Sequence, residues 1–541
     1  MWTKLKTMKT IIFSFVLLFS LVTISHSLPL TTQSKWVIDE LNGERVKFKC
    51  VNWPSHLQPM LVEGLDKKPI GFIVNQVAFF GFNCVRLTWA TNMFTRYSNK
   101  TVVQTFRDLS LTNAIKGLEI NNPQFLPLTV VDAFSLVIGV IQSYGVMVIL
   151  DNHVSEPMWC CSNNDGNGFF GDKYFDPDEW LEGLSIVGKR YRNTPMVVAM
   201  SLRNELRGPR QNANDWYQWV RRGASTIHKV NPNVLVLISG LNYDLDFSPL
   251  KSEPLGLDRA LPNKIVYETH RYSFTEGQRW LRQPLNQMCS NVIRDINNRA
   301  TFLTTGSDPA PLFISEFGVN LMGTRQSDNV FLPCYMAFLA EMDLDWAVWA
   351  LQGSYYLRQG VQNMDEQYGL LNNDWEGLRN PDFNAKLFLL RQTLQVPQWR
   401  SSNYTFLFHP MTGRCIRSDY KDQLFADECL WLNGWSHSGD GTPVQLASTP
   451  LCITVAGDGL PVKLTTNCNA KQSTWQSVKN SRFQISNKDE NGVDLCLDFD
   501  PKYSSRIVSK KCICVDDNDS RCLANPQSQW FQFVSTNNRF V

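Results

Sequence analysis

The 541-residue chain has no surplus of either charge, with 52 basic against 50 acidic side chains, and it has no long basic run. A chain so balanced offers nucleic acid no electrostatic footprint, which excludes it as the main partner. Beyond the first 27 residues no apolar run is long enough to span a bilayer, so the processed chain is expected to be free of the membrane. An EF-hand is lacking too. Asn163-Asn-Asp-Gly-Asn-Gly168 has the flavour of a calcium loop without its spaced carboxylates or closing Glu, and it reads as a turn-rich stretch. What the chain does hold is 43% apolar residues, 17 Trp and 14 Cys. The length fits two to four domains. That many cysteines suit an oxidising compartment rather than a reduced cytosol.

The first 27 residues agree. Lys4, Lys6 and Lys9 precede an apolar run from Ile11 to Ile24, and Ser25 and Ser27 suit the −3 and −1 positions of a cleavage site. The run falls short of the about 20 apolar residues that a span requires, so residues 1–27 read as a cleaved secretory signal. Loss of a leader with three lysines and no acid takes the formal net charge from +2 to −1. The sequons at Asn99, Asn403 and Asn518 are compatible with secretion.

Cysteine density divides the remainder. Residues 28–398 carry six cysteines, and 402–541 carry eight, with a proline-terminated helical run between them. The first region alternates apolar runs with longer helical stretches such as Val130–Tyr144 and Trp216–His228. The predicted strands are Val46–Val51, Cys84–Leu87, Val146–Leu150, Val197–Leu202, Val234–Ile238, Ile265–Glu268, Leu312–Ile314 and Trp346–Trp349. This α/β string fits a (β/α)8 TIM barrel, although a doubly wound open sheet gives a similar string. The barrel is favoured because nearly every strand ends in a residue able to do chemistry, and in a barrel those ends converge on one face. The second region repeats instead. Cys415, Cys452 and Cys496 each have a partner 14 or 16 residues on, and Gln472-Ser-Thr-Trp475 recurs as Gln527-Ser-Gln-Trp530. Three copies, each closed by a disulfide, imply a small all-β domain.

Two carboxylates stand out: Glu205 in Arg203-Asn204-Glu205 after the fourth strand, and Glu316 in Ser315-Glu316-Phe317-Gly318 after the seventh. A carboxylate at the end of an apolar strand is costly to bury without partners. Two of them facing each other across a cleft meet the needs of glycosidic cleavage: an acid for the leaving oxygen and a carboxylate for the anomeric carbon. Taken singly, either could be a salt bridge or a helix start. Together with Arg86, His153, Asn204, His270, Tyr272 and Trp349, in order and on the expected strands, residues 28–398 resemble a glycoside hydrolase of family 5, the cellulase-like retaining enzymes. The resemblance implies Glu205 as acid/base and Glu316 as nucleophile. It implies Asn204 on the sugar 2-hydroxyl, the two histidines as positioning groups, Trp349 as a flat apolar platform, and no metal or organic cofactor. Glu205 should then hold a proton, while Arg86 and Tyr272 keep Glu316 ionised. Trp53, Trp89 and Trp159 follow strand ends and suit sugar stacking or packing equally. The long loop holding Trp159-Cys160-Cys161 is expected to wall the cleft. Adjacent Cys160 and Cys161 are expected to bond to separate partners.

Residues 402–541 resemble a ricin-type β-trefoil lectin domain, in which an aspartate two residues after a repeat's first cysteine binds sugar. Only the third repeat keeps it, as Asp498; Arg417 and Thr454 stand in the other two. The whole therefore reads as a secreted, monomeric β-glycosidase, endo-β-1,4-glucanase-like, with a sugar-binding accessory domain. A β-mannanase, or a lectin-like defence protein with a silent barrel, is the alternative. The layout resembles plant proteins, which implies apoplast or cell wall.

Overall fold

The computed structural model describes residues 28–397, 405–419, 421–430, 434–478, 481–500, 505–515 and 522–537. The predicted leader, the sequons at Asn403 and Asn518 and the junction at 398–402 lie outside the described residues; Asn99 is exposed.

Eight parallel strands close into a barrel: β1 (Lys49–Trp53), β2 (Cys84–Ala90), β3 (Met147–Val154), β4 (Val197–Ser201), β5 (Leu235–Ser239), β6 (Ile265–Arg271), β7 (Leu312–Phe317) and β8 (Asp345–Val348). Pairing of β8 with β1, Trp346 opposite Lys49 and Val348 opposite Val51, settles barrel over open sheet. The strands are unbroken apolar runs such as Met147–Leu150 and Leu235–Ile238 because a parallel sheet wrapped in helices is buried on both faces. The helices Val130–Ser143 and Ala213–Val230 match their predicted spans and bury apolar stripes that include Phe134, Ile138, Trp216 and Ile227.

The first strand begins at Lys49 and not at Val46, since the residues before it are committed to a buried ion cluster. Arg45 and Lys47 both pair with Asp343, and Arg45 reaches Asp345 at 3.3 Å. Asp343 also accepts the N–H of Leu394 (3.0 Å) and of Gln395 (2.7 Å). It thereby ties the starts of β1 and β8 to the barrel's last segment, on the face opposite the strand C-termini. Removing one member strands the other charges away from water. Asp343→Asn should therefore lower the unfolding free energy by about 3–5 kcal/mol, read as the shift of the denaturant midpoint. A loss under about 1 kcal/mol, the usual worth of a surface pair, would contradict this.

Seven disulfides use all fourteen cysteines. Cys50–Cys84 staples β1 to β2, and Cys289–Cys334 joins the helices Leu285–Arg299 and Gln326–Met342. Cys160 and Cys161 bond to each other across a cis peptide, with Cα atoms 3.1 Å apart. The expectation of separate partners is thus corrected: the cis linkage lets neighbours meet, and the other four barrel cysteines are already paired.

The described residues between 405 and 537 form β-strands joined by turns and short 3-10 segments. Three hairpins carry the predicted disulfides Cys415–Cys429, Cys452–Cys468 and Cys496–Cys512, and Cys514–Cys522 adds a fourth. Trp435 and Trp475 donate to the carbonyls of Ile416 (2.9 Å) and Ile453 (3.0 Å), the residue after each repeat's first cysteine. The third repeat breaks this pattern. Trp530 donates instead to Asn286 of the barrel at 2.9 Å, and Asn286 donates to Gln484 at 2.7 Å. Its tryptophan has become part of the interdomain contact.

Candidate active site

The C-terminal ends of the strands converge on a cleft of about 690 Å³ lined by His153, Asn204, Glu205, His270, Tyr272, Glu316 and Trp349, among others. That volume falls in the usual range for a ligand pocket. Seven of the eight predicted barrel residues therefore line one cavity. The eighth, Arg86, lies fully buried beneath them.

Arg86 organises the floor. Its guanidinium donates to Glu316 Oε1 at 2.8 Å, to Asn52 Oδ1 at 3.0 Å and to Asn204 Oδ1 at 3.0 Å. It also pairs with Asp151 at 2.9 Å and Glu268 at 3.4 Å. Burial opposes its charge, but Asp151, Glu268 and Glu316 more than offset that and hold the guanidinium above its ordinary range. Glu268 is in turn held by the hydroxyls of Ser201 and Ser239. Across the cleft, Tyr272 Oη donates to Glu316 Oε2 at 2.9 Å, so both oxygens of this carboxylate are engaged.

Glu205 is positioned differently. It follows β4 with φ of 44°, a left-handed conformation that costs a non-glycine residue on the order of 1–3 kcal/mol. The surroundings hold it there. Its N–H donates to Asp244 Oδ2 at 3.2 Å, and its carbonyl accepts Arg207 Nη1 at 2.7 Å. Asp244 belongs to three consecutive left-handed residues, Asn242, Tyr243 and Asp244 (φ 55°, 60° and 59°), which bring its buried carboxylate under the cleft. The Glu205 side chain meets His270 Nδ1 at 2.9 Å, while His270 Nε2 faces Ser315 Oγ at 3.0 Å. His270 also lies 3.6 Å from Glu316. One oxygen of Glu205, one of Glu316 and a His270 nitrogen all fall within 4.8 Å of one another.

Burial pushes both carboxyls up to about 7; the Glu205 charge raises Glu316 further, and Asp151 raises both. For Glu316 desolvation outweighs the lowering by His270 and Arg86. The two charges repel, so at neutral pH the pair favours a single shared proton. Glu316 has a direct cation in Arg86 and a phenol donor in Tyr272, whereas Glu205 meets His270, with the Arg207 charge pulling its pKa down from a greater distance.

His153 donates from Nδ1 to Asp151 at 2.6 Å, which leaves Nε2 toward Asn204, 3.5 Å away. It is stacked between His56 (4.0 Å) and Trp349 (5.5 Å). Of the three tryptophans left open, Trp53 and Trp89 are fully buried core residues, and Trp159 alone lines the cleft. The long loop walls the cleft as expected. In its Asn163–Gly168 stretch, Asp165 is consumed by the N–H groups of Ser162 and Asn167 and by Arg207. Asp498 is only 3% exposed and accepts Gln529 Nε2 at 2.9 Å.

Sequence reasoning missed Glu268, Asp244 and the paired cysteines. Glu268 sits two residues before His270 on a strand otherwise read as apolar. The Asn-Tyr-Asp run after β5 was the one visible hint of left-handed backbone, which Asn and Asp tolerate better than most residues.

Residues 65–354 match the family model described as cellulase, glycosyl hydrolase family 5. A glycosyl hydrolase 5 family protein from Chamaecyparis obtusa is 42% identical over 530 residues, 96% of this chain and 95% of its own length. An endoglucanase from Paenibacillus polymyxa is 22% identical over 68% of this chain and 88% of its own. In fold, the chain is similar to a variant endocellulase from Pyrococcus horikoshii solved with cellotetraose, at TM-score 0.54 and 18% identity, over 68% of this chain and 99% of the other.

Proposed function

Because the chain belongs to glycosyl hydrolase family 5, the cellulase family, we propose that it is a secreted retaining β-glucanase acting on β-1,4-linked glucan or related β-glucosides. The observation that carries this reading is the proximity of Glu205 and Glu316, with oxygens within 4.8 Å, the first held by His270 and the second by Arg86 and Tyr272. Inverting enzymes keep their carboxyls about 6.5–9.5 Å apart to admit a water, whereas retaining enzymes keep them at about 5–5.5 Å.

In the first step the ionised Glu316 attacks the anomeric carbon while Glu205 gives its proton to the departing oxygen. In the second, Glu205 takes a proton from water, which displaces Glu316 and restores the original anomeric configuration. Asn204, fixed by Arg86, is placed to bond the 2-hydroxyl, and Trp349 to carry the ring. The relatives' names, endoglucanase and endocellulase, and the cellotetraose bound to one of them support glucan over mannan. Seven disulfides suit an extracellular setting. The repeated domain is read as a ricin-type trefoil that braces the barrel, given the ties through Asn286.

Activity of the purified protein on β-glucans, β-mannans and aryl β-glycosides tests the reading. Turnover on glucans is expected; preference for mannan, or glycan binding without any turnover, would contradict it. The shared proton also fixes the pH dependence. Above about 7 Glu205 loses the proton it must donate, and below that range Glu316 gains one and ceases to attack. A bell-shaped profile of kcat/KM centred near neutrality should result. A profile flat from pH 4 to 9 would contradict the shared-proton assignment.

A further inference from the structure

We propose that the cleft takes the end of a β-glucan chain and not its middle, because the loop after β3 and the hairpin after β8 join across one half of the barrel mouth. This rests on the reading of the barrel as a β-glucanase. In the barrel order β8-β1-β2-β3, a contact between those two loops spans the mouth above β1 and β2.

The contact is a fixed wall. The Arg358 guanidinium lies over the Trp159 ring at 3.5 Å, and the Tyr355 ring meets Trp159 edge-on at 5.8 Å. Arg358 is anchored by Glu366 at 2.9 Å, a buried carboxylate that also accepts the Tyr355 hydroxyl and the Tyr368 N–H. On the other side, Trp159 leads into the closed Cys160–Cys161 pair, whose sulfurs stand 3.7 and 3.8 Å from Asn204 Nδ2. Trp159 also packs in the apolar cluster of Tyr272 and Trp349, so the wall stands beside the sugar platform itself. A polysaccharide running through would have to part a cation–π pair whose cation is held by a buried carboxylate.

The opposite half, above β5 and β6, is built to receive. Asn242, Tyr243, Phe274 and Thr275 border the cleft there. Phe274 is 58% exposed and stacks on Tyr272 at 4.7 Å with an interplanar angle of 13°. A phenyl ring so exposed contributes little to the core, yet presents a flat face beside the reacting site. The chain beyond the reacting sugar leaves across it.

The test follows early products from cellohexaose, together with viscosity loss per bond cut in soluble β-glucan. The wild type should release one short product from the first minutes, with slow viscosity loss. Trp159→Ala and, separately, Arg358→Ala should add mid-length products and steepen the viscosity loss. Phe274→Ala should raise KM for cellopentaose about 3- to 10-fold more than KM for an aryl β-glucoside, the worth of one aromatic stacking contact. Mid-chain cleavage by the wild type, or an unchanged pattern in both wall variants, overturns the end-on proposal alone. No hydrolysis of any β-glucan removes the β-glucanase reading with it.

Discussion

Glu316→Gln should lower kcat on β-glucans by about 10⁴-fold or more, the scale seen when a nucleophile is removed from a covalent mechanism. The amide is nearly isosteric and keeps an oxygen for the Tyr272 hydroxyl, which sits 2.9 Å from the carboxylate. It loses the electron pair that attacks the anomeric carbon. The change should leave the fold intact, because Arg86 still has Asp151 at 2.9 Å and Glu268 at 3.4 Å to balance its charge. Removing this carboxylate also relieves Glu205 of a repelling neighbour, so the pKa of Glu205 should fall from about 7. Unfolding curves that match the wild type, alongside the lost turnover, would establish that the effect is chemical. Activity within about tenfold of wild type would mean that another group makes the covalent bond.

The second large effect belongs to Glu205→Ala, and its size should depend on the leaving group. Cello-oligosaccharides depart as poorly stabilised alkoxides and need the proton. Their kcat/KM should fall by about 10²–10⁴-fold, the range for a lost general acid. An aryl glycoside with an acidic phenol departs unaided, so its first step should be nearly spared. The second step still lacks its base, and the glycosyl-enzyme should accumulate and lower the apparent KM. Azide needs no deprotonation and fits the space vacated by the side chain. It should restore turnover and give a β-glycosyl azide. A loss equal for both leaving groups, with no rescue, would remove Glu205 from the acid/base role.

Much of the catalytic floor was legible because its residues sit within a few positions of strand ends. A buried parallel strand announces itself as an apolar run, and Arg86, Asn204-Glu205 and Glu316 interrupt or follow such runs. What could not be read was partnership across the barrel. Glu268 is accounted for only by Ser201, Ser239 and Arg86, which lie on three other strands. Asp244 gains its meaning from the backbone of Glu205, 39 residues earlier. Trp53 and Trp159 look alike as strand-following tryptophans. One donates its indole N–H to the Glu63 backbone carbonyl inside the core and the other stands in the cleft, a difference set by loop paths and not by local sequence. Asp498 occupies the position of a sugar ligand, yet Gln529 claims it.

The central claim, that Glu316 carries the sugar between the two steps, is tested most directly by trapping. A 2-deoxy-2-fluoro β-glucoside with an activated leaving group slows the second step, and mass spectrometry of the digested protein locates the adduct. The account predicts one fluorosugar per chain, on the peptide containing Ile314-Ser315-Glu316-Phe317. A label on any other carboxylate, or turnover of the reagent with inverted product and no adduct, would contradict it.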